Sequence, residues 1–141
     1  MNQTFEPEIV VFCCNFCSYA AADLAGSIRM SYPPNVKIIH VPCSGRVDPL
    51  TLLKALEAGA DGVLVTGCME GDCHFVTGNY KAKKRVKYIR AMLADMGLEP
   101  DRVQMHNISA SDAPLFAKTA QEATEMIRAL GPNPLKGCKA A

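Results

Sequence analysis

The stretch DGVLVTG, Asp61 to Gly67, decides the fold of this chain. Its apolar, β-branched run is nearly continuous rather than alternating, the pattern of a strand buried on both faces of a parallel sheet. To either side, EIVVFC (Glu8 to Cys13) and VKIIHV (Val36 to Val41) have the same character, and RVQMHNI (Arg102 to Ile108) is a weaker fourth run. Each is followed by a segment of helical period. Ala20, Leu24 and Ile28 recur every four residues in the first, which ends at Tyr32-Pro33-Pro34. The second, DPLTLLKALEAG, has Asp48 as N-cap, Pro49 at the first helical position and Gly59 as its stop. The third sets Ala82, Val86, Ile89, Leu93 and Met96 on one face before Gly97. The fourth begins near Pro114, and GPNP, Gly131 to Pro134, closes it.

Strand and helix alternating four times predict an α/β fold: a single doubly wound domain with a mainly parallel four-stranded sheet and helices on both faces. The expected strand order is 2-1-3-4, which puts the switch point, where ligands sit, between the first and third strands. The domain is expected over residues 1–134, with 135–141 as a loose tail. A chain of 141 residues can bury one core without disulfide staples. Its net charge of +1, with 21% charged residues, gives no global attraction to nucleic acid or to an acidic membrane. No apolar run approaches the roughly 18 residues of a membrane span, and the N-terminus lacks the basic-then-apolar pattern of a signal peptide. A cytoplasmic protein is expected. In that reducing setting, seven cysteines point to metal or redox chemistry rather than disulfides.

Placed on this frame, the cysteines converge. Cys13, Cys14 and Cys17 end strand one, Cys43 follows strand two in VPCSGR, and Cys68 and Cys73 follow strand three. Adjacent strands lie only about 4.8 Å apart, so loops leaving their carboxyl ends can gather thiolates around one small centre. Cys14 and Cys17 form a C-x2-C chelate and Cys68 and Cys73 a C-x4-C one, with Cys43 between them in sequence. Two short chelates supply the four thiolates of a [2Fe-2S] cluster. The candidates are Cys14, Cys17, Cys43, Cys68 and Cys73, five for four positions. Gly45, Gly67 and Gly71 leave backbone N–H groups free to approach the sulfurs, which would raise the reduction potential.

Blander readings stand beside these. Cys13 is expected to point into the core and Cys138 to be a spectator. A C-x2-C pair alone also serves dithiol–disulfide oxidoreductases, but that use leaves Cys43, Cys68 and Cys73 without a role. A structural zinc adaptor needs four ligands and leaves one thiol over. His74 suits hydrogen bonding to the centre better than ligation, and His40 and His106 read as ordinary strand residues. The run KAKKRVKYIR, with Lys81, Lys83, Lys84, Arg85, Lys87 and Arg90, is either a solvated helix face or a docking surface. Arg46 is the basic residue expected nearest the centre. Neither phosphate-binding glycine motif nor a nucleophile elbow is present, so no independent catalytic role is expected.

The strings FCCNFCSYAAADLAG, VPCSGRVDP, GADGVLVTGCMEGDCHFVTGN and NISASD together resemble the delta subunit of methyl-viologen-reducing hydrogenase. Phe16 and Met69 depart from the family pattern, which has tryptophan and histidine there, and bear on packing more than on ligand count. The resemblance implies a small iron–sulfur protein with one [2Fe-2S] cluster, and the same five cysteines match the family motif. It also implies partners: a [NiFe] hydrogenase or a formate dehydrogenase as donor, and the flavin-containing A subunit of heterodisulfide reductase as acceptor. The assembly so implied carries out electron bifurcation in methanogenesis.

Overall fold

The computed structural model describes residues 6–14, 36–67, 78–108 and 112–134. Among the described residues four strands, β1 (Ile9–Cys14), β2 (Val36–Val41), β3 (Gly62–Gly67) and β4 (Val103–Asn107), form one sheet in the order β2-β1-β3-β4. All three pairings are parallel. Helices α1 (Pro49–Glu57), α2 (Gly78–Asp95) and α3 (Ala113–Leu130) connect and cover it. This is the expected order and class. The helix expected around Ala20, Leu24 and Ile28 lies outside the described residues, as does the expected tail.

Strand periodicity divides the core in two. On one face Ile9, Val11, Cys13 and Leu64 pack with Phe116, Ala120, Ala123 and Ile127 of α3. On the other, Phe12, Val63, Val65 and Val103 pack with Leu52 and Leu56 of α1 and with Val86, Ile89 and Leu93 of α2. Full burial of each Val, Leu, Ile or Phe side chain among them contributes roughly 1.5–3 kcal/mol. The sheet is therefore clad on both sides, and β3, at its centre, is buried along its whole length.

Local signals behave as the sequence predicts for α1. Asp48 Oδ1 accepts from Leu50 N at 3.1 Å, Pro49 follows it, and Gly59 turns the chain with φ of 116°, a conformation that disfavours any side chain. Two expectations need correction. Met96 does not join the apolar face of α2: the helix ends at Asp95 and Met96 is 56% exposed. Nor is β2 buried on both faces, since it is an edge strand, with Ile39 42% exposed and His40 also exposed. Hydrophobicity marks β2 as a strand but does not say that only one neighbour flanks it.

The amino-terminal rim of the sheet is closed by a polar network. Asp61, just before β3, accepts from the backbone N–H groups of Glu8 and Asn133, each at 2.8 Å. Asn133 Nδ2 donates to Leu56 O and Ala60 O, both at 2.8 Å. Arg102, buried just before β4, donates to Asp61 O at 2.9 Å, Gly131 O at 3.0 Å, Pro132 O at 3.2 Å and Glu99 Oε2 at 2.9 Å. The hydrogen bond from Arg102 holds the Glu99 carboxyl below its ordinary value.

Candidate metal centre

The opposite, carboxyl-terminal rim carries Cys14 and Cys43. Cys14 is the last residue of β1 and lies level with Val41 of β2. Cys43 follows two residues later and caps a short 3-10 turn, Ser44–Arg46. Alternation along β1 sends Cys13 into the core against α3, as expected, and Cys14 to the face of Phe12, where α1 and α2 pack. Both Cys14 and Cys43 are buried. Cys43 Sγ accepts from Gly45 N at 3.4 Å, the backbone-to-sulfur approach anticipated for that glycine.

The turn bearing Cys43 is held from three directions. A Cβ on Gly45 would fall 2.8 Å from Gly78 Cα, so only glycine permits the turn to lie against the start of α2. One on Gly67 would fall 2.7 Å from Ser44 Oγ and 3.3 Å from Met105 Cε, so the end of β3 lies against the same turn. Arg85 of α2 donates Nη1 to Gly45 O and, at 3.2 Å, to Val47 O. Residues 68–77, which carry Cys68 and Cys73, thus leave from Gly67 and return at Gly78, both packed on the turn of Cys43.

Of the five candidate ligands, the structure brings Cys14 and Cys43 to one rim. Cys17, Cys68, Cys73 and His74 lie outside the described residues, and among the described residues no three cysteine, histidine or carboxylate side chains gather as a metal site. Arg46 belongs to the turn but is exposed. The basic run divides. Lys81, Lys83, Lys84 and Lys87 are exposed, whereas Arg85 serves the turn and Arg90 bonds Pro100 O, Val103 O and Asp101 at 3.2, 2.8 and 2.9 Å. His106 Nε2 lies 2.8 Å from Gln104 Oε1; because Gln104 Nε2 donates to Asp101 O, the histidine is the donor. Burial pushes the His106 pKa below its ordinary 6.5, opposed by the charge of Glu122.

Sequence reasoning missed Ser44. It is 1% exposed, and its Oγ has no hydrogen-bond partner among the described residues. The signal was its place, directly after Cys43. Soft thiol donors, a glycine N–H aimed at sulfur and a buried hydroxyl beside them suit an iron–sulfur group, whose sulfurs accept hydrogen bonds.

Fold and rim together define a wound parallel α/β domain with cysteines at the carboxyl ends of its strands. The chain belongs to the family described as methyl-viologen-reducing hydrogenase, delta subunit, which it matches over residues 9–131. It is 52% identical over 132 residues to the iron-sulfur D subunit of an F420-non-reducing hydrogenase from Archaeoglobus profundus, covering 94% of this chain and 96% of that one. To the iron-sulfur D subunit of the vhc F420-non-reducing hydrogenase of Methanococcus voltae it is 48% identical over 136 residues, covering 96% and 94%. It also resembles the A subunit of a ferredoxin/F(420)H(2)-dependent CoB-CoM heterodisulfide reductase from Methanosarcina acetivorans. There the identity is 44% over 126 residues, 89% of this chain but 16% of that much longer one.

Proposed function

We propose that this chain is the electron-transfer component of a hydrogenase–heterodisulfide reductase assembly and holds one [2Fe-2S] cluster on four of Cys14, Cys17, Cys43, Cys68 and Cys73. The observation that carries the reading is the packing of Gly67 and Gly78, the two ends of the segment bearing Cys68 and Cys73, on the turn bearing Cys43. Cys14 ends the neighbouring strand on the same rim. When bound, the cluster would take one electron at a time from a donor protein and pass it to a flavoprotein. The chain's own part is to fix the thiolates, exclude water from the sulfurs and aim donors such as Gly45 N–H at them.

The partners follow from the relatives. Two are named as parts of F420-non-reducing hydrogenases, which favours a [NiFe] hydrogenase as donor. A homologous stretch occupying 16% of a heterodisulfide reductase polypeptide favours the flavin-containing A subunit of that reductase as acceptor, because fusion keeps two domains at working distance. None of the relatives named above is described as part of a formate dehydrogenase, so a hydrogenase is the donor in this reading. Electron bifurcation belongs to the whole assembly, and its setting is cytoplasmic. Among the described residues no helix is long and apolar enough to cross a membrane. The exposed Lys83, Lys84 and Lys87 supply a docking surface on α2.

Anaerobic purification tests the reading. About two irons and two acid-labile sulfides per chain are expected, whereas about one zinc without sulfide would sink it in favour of the adaptor, and a reversible metal-free thiol pair would favour a dithiol oxidoreductase. Single Cys→Ser changes at the five positions should leave one variant with its cluster intact. Reversal of Lys83, Lys84 and Lys87 to glutamate should weaken binding to the reductase at low salt, where such contacts are strongest, without loss of iron.

A further inference from the structure

We infer that the Ser44 hydroxyl donates a hydrogen bond to a sulfur atom of the iron–sulfur group and thereby raises its reduction potential; the inference rests on the reading above. A buried hydroxyl left without a partner costs about 1–3 kcal/mol, and such groups are rare in folded proteins. Two other buried hydroxyls keep the rule. Thr66 Oγ1 donates to Phe12 O at 3.1 Å and Thr124 Oγ1 to Ala120 O at 2.7 Å. Ser44 breaks it while almost wholly shielded from water.

Its position supplies the reason. Ser44 directly follows Cys43 in the chain, and its Oγ lies where a side chain on Gly67 would otherwise sit, with Cys68 next in sequence. The hydroxyl is thus packed between the residues that precede or are two of the candidate ligands. Its backbone carbonyl is already engaged by Val47 N at 3.1 Å, and the side chain makes none of the local backbone bonds usual for serine in a turn. A cysteine thiolate or an inorganic sulfide at that spot is an acceptor carrying negative charge. Reduction adds one electron and increases that charge, so a donor there stabilises the reduced state more than the oxidised one. Ser44 is a positioning and tuning residue in this scheme, not a ligand. The glycine at position 67 keeps the space that the hydroxyl occupies.

The test uses the full chain assembled anaerobically. Ser44→Ala should retain iron and sulfide but shift the one-electron reduction equilibrium about tenfold toward the oxidised form, a fall of ~59 mV in midpoint potential. Resonance Raman bands of the iron–sulfur stretches should lose part of their sensitivity to deuterium oxide. A packing role alone would leave both readouts unchanged. Ser44→Gly removes the hydroxyl without adding bulk and provides a second deletion. An assembled Ala or Gly variant with wild-type potential and deuterium shifts overturns the inference. If both fail to assemble while Ser44→Thr, which keeps the donor, assembles at near wild-type potential, the inference stands; failure of all three reduces Ser44 to packing and overturns it. A chain that binds zinc without sulfide defeats the electron-relay reading instead, so the two failures are distinguishable.

Discussion

Asp61 and Gly67 flank the same central strand, and their surroundings differ in kind. Around Asp61 the buried polar groups close on one another: the carboxylate takes two backbone N–H groups, Asn133 bridges to two carbonyls, and Arg102 distributes its donors over Asp61, Gly131, Pro132 and Glu99. Around Gly67 the chain is packed as tightly, yet a hydroxyl is left without a partner among the described residues, and two thiols are buried at the ends of neighbouring elements. A rim that satisfies itself is structural. One that packs well and still holds a donor aside is arranged for chemistry beyond its own folding.

That contrast can be broken most forcefully at the closed rim. Asp61→Ala strips one buried and one part-buried N–H group of their acceptor, at up to about 1–3 kcal/mol each, so the apo chain should lose on the order of 2–4 kcal/mol in urea unfolding, a large share of a typical domain's stability. Cys43→Ser, nearly the same volume at the other rim, should shift the apo unfolding free energy by less than about 1 kcal/mol. Equal effects on apo stability would erase the distinction.

Gly45→Ala gives a smaller but sharper result, because it touches both properties of the open rim. Its new methyl would fall 2.8 Å from Gly78 Cα, a backbone atom that cannot swing aside. A cost of about 1–3 kcal/mol is expected for such overpacking. The shift should also pull Gly45 N away from Cys43 Sγ, so the cluster of this variant should form with a lower potential than wild type, as read by redox titration. Loss of stability with unchanged potential would show that the N–H bond to sulfur does not matter to the centre.

The two rims were not equally legible in the sequence. Strand order, the alternation of Cys13 and Cys14, and the caps of α1 all follow from local rules, and the structure has them. The closed rim left almost no trace: GPNP reads as a helix stop, and nothing in a residue's neighbours says that Asn133 will reach Asp61, 72 positions away. Arg85 was hidden in a run of cations, since periodicity assigns a residue to a helix face but not to the carbonyls it will meet. Ser44 looked like any turn serine; only tertiary packing shows that water and backbone are both denied to it. Met96 and β2 failed for a related reason, hydrophobicity being a preference for burial that the end of a helix or the edge of a sheet can override.

The smallest expected effect separates the rims by pH. Among the described residues each carries one group whose pKa is lowered by the fold, Glu99 at the closed rim through its bond from Arg102 and His106 toward the open end of β4 through burial. For both, the unfolded chain binds its proton at higher pH than the folded chain does, so stability rises with pH across each window. The His106 contribution is complete above its ordinary 6.5 and is lost as the pH falls through the lower folded value. That of Glu99 is complete above its ordinary 4.5 and is lost only in more acid solution. Glu99 is partly exposed, so solvent screens its share. His106→Gln, which can still donate to Gln104 but cannot titrate, should flatten the slope of unfolding free energy against pH just below 6.5 and leave the lower window in place. A wild-type slope that survives the substitution would mean that His106 is as accessible to protons in the folded protein as in the unfolded one, and that the end of β4 beside the open rim is wetter than its packing against Gln104 suggests.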